Sequence, residues 1–346
     1  MSSESQSIHA AAQRAVRQPV RTAVVGAGAI GGLIAAAAVR AGHSVSVLAR
    51  GKTLDALRTD GLRVIDGSCE SVVRVNAGDA PDAFDVQDYV VIALKAQTLP
   101  AIAASLQPMI GPRTAIVAAM NGLPWWFTHG FAGPLDNQII EAVDPGGSVS
   151  AALPPTRSIG CVVHLSSSTD APGVVRRGRG NQLIVGAPDG NPNSLMSEQA
   201  TMFADAMRIG GFDVVLSEAI RTDIWTKLWG NMNMNPLSAL TGSTADRLLD
   251  DPLTHALVLR MMEEAASIGT RLGLSAGMSP PERLAITRKL GAFRTSMLQD
   301  FEAGRPLEVE PILGVFPELG RKLDVPTPFC DAVLGLLRQR AANSGL

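Results

Sequence analysis

Aromatic residues are scarce in this 346-residue chain, at 4% with a single tyrosine, Tyr89. Its three cysteines, Cys69, Cys161 and Cys330, are far apart and odd in number. They offer no C-x-x-C pair, no disulfide framework and no zinc-ligand spacing. The five histidines are scattered, and neither H-E-x-x-H nor G-x-S-x-G occurs. Metal-hydrolase and serine-hydrolase signatures are therefore missing, and no metal is expected. Charge of one sign is lacking too. The balance of 30 basic against 32 acidic residues leaves −2, which excludes a whole-chain basic field for nucleic acid. The short Arg176-Arg177-Gly178-Arg179 cluster reads as a charged strand end. What the chain does have is 34 glycines and 46% apolar residues. That composition is globular, with a backbone that turns tightly or approaches something closely. At ~150 residues per domain the length suggests two domains.

One uncharged run could mislead. Arg14, Arg17 and Arg21 precede Thr22–Val39, which carries no charge, in the outline of a signal peptide or membrane span. Four glycines inside the run, Gly26, Gly28, Gly31 and Gly32, favour a different reading. Thr22–Val25 reads as a buried strand, and Gly26-Ala27-Gly28-Ala29-Ile30-Gly31 follows at once. An alanine-rich helix and a second strand, Ser44–Leu48, come next. A G-x-G-x-x-G turn between strand and helix is a dinucleotide fingerprint. Gly26 allows the tight turn, Gly28 lets backbone touch a pyrophosphate, and Gly31 lets helix and strand pack closely. The helix N-terminus offers free N–H groups to phosphate. A cytoplasmic location with no membrane partner is expected, and residues 1–20 read as a flexible extension.

The end of the second strand selects the cofactor. NAD enzymes usually carry an acid there for the ribose 2′-hydroxyl. Here Arg50 and Lys52 stand instead, and an arginine fork suits a 2′-phosphate, so NADP(H) is expected. Asp88–Leu94 and Thr114–Ala119 read as further buried strands, ending at Lys95 and near Asn121. Strand C-termini form the ligand crevice of such sheets, so both residues are site candidates. Ser158–His164 and Val174–Val185 read as a hairpin. Ser194–Ile209 reads as an amphipathic helix and Asp213–Leu216 as a last strand. The fold class is thus α/β. A Rossmann-type dinucleotide-binding domain over 21–217 is followed by an all-helical domain over 218–346, with helices over Arg221–Leu240, Pro252–Leu272, Pro281–Ala303, Ile312–Leu323 and Pro328–Ala342.

The segment Thr222–Leu240 is inconsistent with an ordinary core helix. Lys227, Asn231 and Asn235 recur every four residues and share one face. Asparagine is a poor helix former, Pro236 lacks a donor, and the neighbours Trp225, Leu228, Trp229, Met232 and Met234 are apolar. A polar stripe of this kind is expected at a functional site.

Together with the glycine turn, Leu94-Lys95 and Met120-Asn121-Gly122, that stripe resembles the ketopantoate reductase (2-dehydropantoate 2-reductase) family. The resemblance continues through Thr295–Asp300, Gly304-Arg305-Pro306, Glu308 and Gly320–Pro328, so it spans nearly all of the chain from Arg21 to Arg338. It implies NADPH-dependent reduction of a 2-oxo acid, with Lys227 as proton donor and Glu308 as the active-site glutamate. It also implies that Asn121, Asn231, Asn235 and Ser296 hold substrate. Gly26, Ala27, Gly28, Ala29, Ile30, Gly31, Arg50, Lys95, Asn121, Ser166 and Glu308 would hold cofactor. A homodimer is compatible with the apolar C-terminal helices. There are departures from the family pattern. Ala245 occupies a position where the family often has asparagine, and Leu307-Glu308-Val309-Glu310 replaces the usual Thr-Glu-Ile-Asp. The bulky Trp125-Trp126-Phe127 is expected, with Trp229, to wall the cleft. The catalytic group is intact while the substrate wall differs. Ketopantoate, another branched 2-oxo acid and a non-catalytic NADP(H)-sensing role therefore all stay open, as does oxidation of an amino or hydroxy acid.

Overall fold

The computed structural model describes residues 19–346. The expected N-terminal extension lies, up to residue 18, outside the described residues. Among the described residues ten strands form one sheet: β1 (Arg21–Val25), β2 (Ser44–Leu48), β3 (Leu62–Asp66), β4 (Cys69–Val73), β5 (Asn76–Gly78), β6 (Gln87–Ile92), β7 (Ile110–Ala118), β8 (Ser158–Ala171), β9 (Val174–Gly186) and β10 (Asp213–Leu216). Their order is β4-β3-β9-β8-β7-β6-β1-β2-β5, with β10 beside β9. From β5 to β8 neighbouring strands are parallel, whereas the β8–β9 hairpin is antiparallel. The helices are α1 (Ala29–Arg40), α2 (Gly51–Thr59), the short α3 (Leu99–Ile102), α4 (Ser148–Ala152), α5 (Leu195–Ile209), α6 (Ile220–Thr241), α7 (Ala245–Asp250), α8 (Pro252–Arg271), α9 (Pro280–Arg288), α10 (Ser296–Glu302), α11 (Val315–Lys322) and α12 (Pro328–Asn343). A mixed α/β domain is thus followed by a helical one.

The apolar run Thr22–Val39 builds β1 and α1 at the centre of the first domain. Side chains alternate across a strand. Ala23 and Val25 therefore enter one core and Val24 the other, which is why β1 is apolar throughout. Helix α1 buries Ala35–Ala38 completely, and a methyl on Gly210 would collide with Ala37. The core that holds Ala23 also takes in Trp125, Trp225, Met261 and Phe316, so sheet and helical domain share one apolar interior. Burying a large side chain of this kind stabilises by ~1.5–3 kcal/mol.

Strand β8 runs on past His164 to Ala171, with register shifts along the hairpin, whose far end pairs through β9 with β3. The segment expected as one helix over Pro281–Ala303 is two, α9 and α10. Gly291 between them takes φ +65, and Thr295 restarts the helix by accepting from the Leu298 N–H. The helix expected from Ile312 begins as a π-helical turn over Glu310–Gly314 and only then becomes α11.

Candidate active site

Across the β6–β1–β2 centre the strand order reverses, which is where open α/β sheets bind ligands. A cleft of about 820 Å³ opens there, between the carboxyl ends of the strands and helices α6 and α10. The glycine turn forms its floor. Gly26 takes φ +102, and a Cβ there would lie 2.8 Å from the Ala93 carbonyl oxygen. A Cβ on Gly31 would collide with the Gly26 carbonyl oxygen. Gly28 differs, because a Cβ there would meet nothing within 4 Å and would point into open space. Packing does not require glycine at that position, and the bare backbone leaves room for a ligand to approach closely. Gly28 also begins α1 without a side-chain cap or an acid in the first turn, which leaves N–H groups available to a phosphate. Ala27, Ala29 and Ile30 line the same cleft. Arg50 lies at its rim, exposed, with no ion pair among the described residues. These residues fit a dinucleotide.

The polar stripe of α6 faces this cleft. Lys227, Asn231 and Asn235 all line it, while Trp225, Leu228, Trp229 and Met232 on the other sides of the helix are buried. The Lys227 ammonium donates to Asn121 Oδ1 at 2.8 Å and to the Val163 carbonyl at 2.8 Å. Burial pushes its pKa down to about 8, against the opposing pull of Cys161 and Glu308. Cys161 lines a small pocket with the lysine, and burial pushes its thiol up to about 12. Among the described residues neither Asn231 nor Asn235 has a side-chain hydrogen bond, so both amides are available to a ligand. Ser296 opens α10 and is exposed to the cleft.

Glu308 closes the opposite side. Its carboxylate is 6% exposed and accepts from the Ala96 N–H at 3.1 Å, with Lys95 Nζ at 3.9 Å. Burial raises its pKa, with Lys95 the strongest opposing influence. Lys95 pairs more closely with Asp300, which also accepts from Arg305 Nε at 2.9 Å. Asp300 and Arg305 line the cleft and were not anticipated as site residues. Asp300 stands four residues after Ser296 on one helical face, and that spacing was the available signal. The Val163 carbonyl carries no sequence signal at all. Ser166 lines the cleft, but its hydroxyl also accepts from the Arg179 N–H at 2.7 Å across the hairpin.

One expectation is corrected. Trp125, Trp126, Phe127 and Trp229 do not wall the cleft; each is at most 5% exposed. Trp125 donates to the Leu153 carbonyl and Trp229 to the Met262 carbonyl, both at 2.9 Å. The core thus pairs the N–H groups of Trp125 and Trp229, whereas the Trp126 N–H is buried with no partner among the described residues. Ala245 is buried at the start of α7, and its N–H donates to the Phe293 carbonyl at 3.0 Å.

Residues 22–190 match the family model Ketopantoate reductase PanE/ApbA, and residues 219–341 match Ketopantoate reductase PanE/ApbA C terminal. A 2-dehydropantoate 2-reductase of Mesorhizobium japonicum is 41% identical over 94% of this chain and 99% of its own length. A crystal structure of a candidate ketopantoate reductase from Ralstonia solanacearum MolK2 superposes with a TM-score of 0.90 at 45% identity, over 95% of this chain and 100% of that one. A D-mandelate dehydrogenase structure containing NADH and anilino(oxo)acetate shares the fold at a TM-score of 0.80 and 18% identity, over 94% and 100%.

Proposed function

The chain belongs to the ketopantoate reductase family of oxidoreductases, and from that premise we propose that it reduces a 2-oxo acid to a 2-hydroxy acid with NADPH, 2-dehydropantoate (ketopantoate) to pantoate being the reaction. The observation that carries the reading is Lys227. It is a partly desolvated ammonium fixed by Asn121 and Val163, in the same cleft as the glycine turn.

The turn Gly26–Gly31 and the N-terminus of α1 would hold the cofactor's pyrophosphate, Arg50 would hold its 2′-phosphate, and Lys95, Asn121 and Ser166 would complete the cofactor site. NADPH would supply a hydride to the ketone carbon of the substrate, leaving negative charge to develop on the ketone oxygen. Lys227 Nζ donates a proton to that oxygen, so no free alkoxide accumulates, and the amine regains its proton from water. Two of the three Nζ protons are occupied by Asn121 and Val163, which aims the third into the cleft. Burial lowers the lysine's pKa and so eases the transfer near neutral pH. Asn231, Asn235 and Ser296 orient the carboxylate and hydroxyl of the substrate. Glu308, fixed by the Ala96 N–H, orients the reacting group from the opposite side.

A panel of 2-oxo acids with NADPH, followed by loss of nicotinamide absorbance, tests this reading. Turnover is expected, greatest with ketopantoate or a close branched analogue. Tight NADPH binding with no 2-oxo acid reduced would overturn it in favour of a sensing role.

A further inference from the structure

Buried at the start of the lysine-bearing helix is a second cation that the mechanism does not use. Arg221 is only 7% exposed. Its Nε donates to the Phe127 carbonyl at 2.8 Å, its Nη2 to the His129 carbonyl at 2.5 Å, and its Nη1 to the Pro188 carbonyl. The guanidinium carbon lies 4.9 Å from the Phe131 ring centroid and 5.9 Å from that of Trp126. Among the described residues no carboxylate is within ion-pair distance of it. Asp189 and Asp136 act on it only at longer range, and burial pushes its pKa down to about 10. Burying a cation against neutral carbonyls carries a large desolvation cost, and apolar side chains would fill the space more cheaply. What only a guanidinium supplies is a rigid fork that fixes several acceptors at once.

Two of those three acceptors, the Phe127 and His129 carbonyls, lie on the segment that carries Asn121, while the Pro188 carbonyl lies just after β9. Phe127 follows Asn121 by six residues, and Arg221 precedes Lys227 by six on α6. Loop and helix are therefore tied at both ends of equal spans, by Arg221 with Phe127 and by Lys227 with Asn121, each at 2.8 Å. The Leu123 N–H, donating to the Pro311 carbonyl at 3.0 Å, ties the middle of the loop. We propose that Arg221 is a positioning residue for the reaction: its grip on the Phe127–His129 backbone sets the loop so that Asn121 meets the Lys227 ammonium and aims it. This role rests on Lys227 being the proton donor. The groups facing Lys227 are Asn121 on the loop, the Val163 carbonyl, Cys161 and His164 on β8, and Glu308. Arg221 touches none of them directly, so it acts through the loop.

The full-length Arg221→Met and Arg221→Lys variants test this, with kcat for ketopantoate measured from neutral to alkaline pH and NADPH binding measured in parallel. Displacing a reacting group by about an ångström costs up to ~100-fold. We expect kcat to fall about 10- to 100-fold in Arg221→Met and less in Arg221→Lys, with NADPH binding, which shares Asn121, weakened by a smaller factor than kcat falls. The alkaline limb of kcat should move to higher pH, because a lysine released towards solvent regains its ordinary pKa. A purely structural residue would lower Tm without moving that limb. Folded variants with unchanged kcat and an unmoved limb overturn the proposal. If Arg221→Met does not fold, Arg221→Lys decides. The Lys227→Ala variant keeps the two readings apart. If it turns over like the parent, the proton-donor reading fails. If it does not, and the Arg221 variants leave the limb in place, only the positioning role fails.

Discussion

Replacing Gly28 with alanine separates the two uses of glycine in the nucleotide turn. Gly28 has φ −74 and ψ −172, a conformation open to any residue, and an added methyl meets nothing within 4 Å. The reduced freedom of the unfolded chain favours alanine by ~0.4–1 kcal/mol. A poorer helix cap offsets this by a similar amount. The net change in stability is therefore under about 1 kcal/mol, and Tm moves by less than about 4 °C. Cofactor binding behaves differently. On the proposed reading, the methyl would stand where the backbone N–H groups meet phosphate. Losing one hydrogen bond to a charged group costs ~1.5–3 kcal/mol, or about 10- to 100-fold in Kd. Gly31→Ala should do the reverse, because its methyl collides with the Gly26 carbonyl, a backbone atom that cannot swing aside. A cost of ~1–3 kcal/mol and a clear fall in Tm follow. Calorimetry and a fluorescence titration with NADPH read both quantities. A Gly28→Ala protein that binds NADPH like the parent would refute the reasoning, as would a Gly31→Ala protein of parental stability.

Three further outcomes are expected. Arg50→Ala should weaken NADPH by about 10-fold or more and leave NADH nearly untouched, since among the described residues its fork has no ion pair to lose; an unchanged NADPH/NADH ratio in kcat/KM would discount the 2′-phosphate role. If Lys227 is the proposed donor, turnover should fall above pH of about 8, tenfold per pH unit at the limit, because the donor is its protonated form and burial lowers the pKa at which that form is lost; a pH–rate profile flat to pH 10, near the ordinary lysine value, would contradict the assignment. Asp300→Asn removes the charge between Lys95 and Arg305, and Lys95 is 35% exposed, so solvent screening holds the cost to about 1 kcal/mol of stability. Thermal unfolding at low and high salt checks this, and the difference from the parent should shrink as salt rises.

Where a segment's own periodicity decided its structure, the sequence was easy to read. The glycine turn, its flanking strands and the Lys227/Asn231/Asn235 face all follow from local spacing, and the structure brings Lys95, Asn121 and Glu308 to the same cleft. Strands β3 to β5 were not legible, because β4 is largely exposed, β5 has three residues, and neither carries a sustained apolar alternation. The aromatic cluster misled for a physical reason. Standing next to Asn121 in sequence says nothing about facing, and the chain turns its rings inward directly after Gly122, which has φ +86 and packs against Pro311. Lys95 with Asp300, 205 residues apart, and Arg221 with three carbonyls depend on tertiary packing alone.

The most direct test of the account is NADPH consumption with ketopantoate by the parent protein and by Lys227→Ala, each with its NADPH Kd measured alongside. The account predicts rapid consumption by the parent, a loss of about 100-fold or more in kcat for the variant, and a Kd changed by little, as expected when only a proton donor is removed. Equal turnover by the two proteins, or no consumption by a parent that binds NADPH tightly, would contradict it.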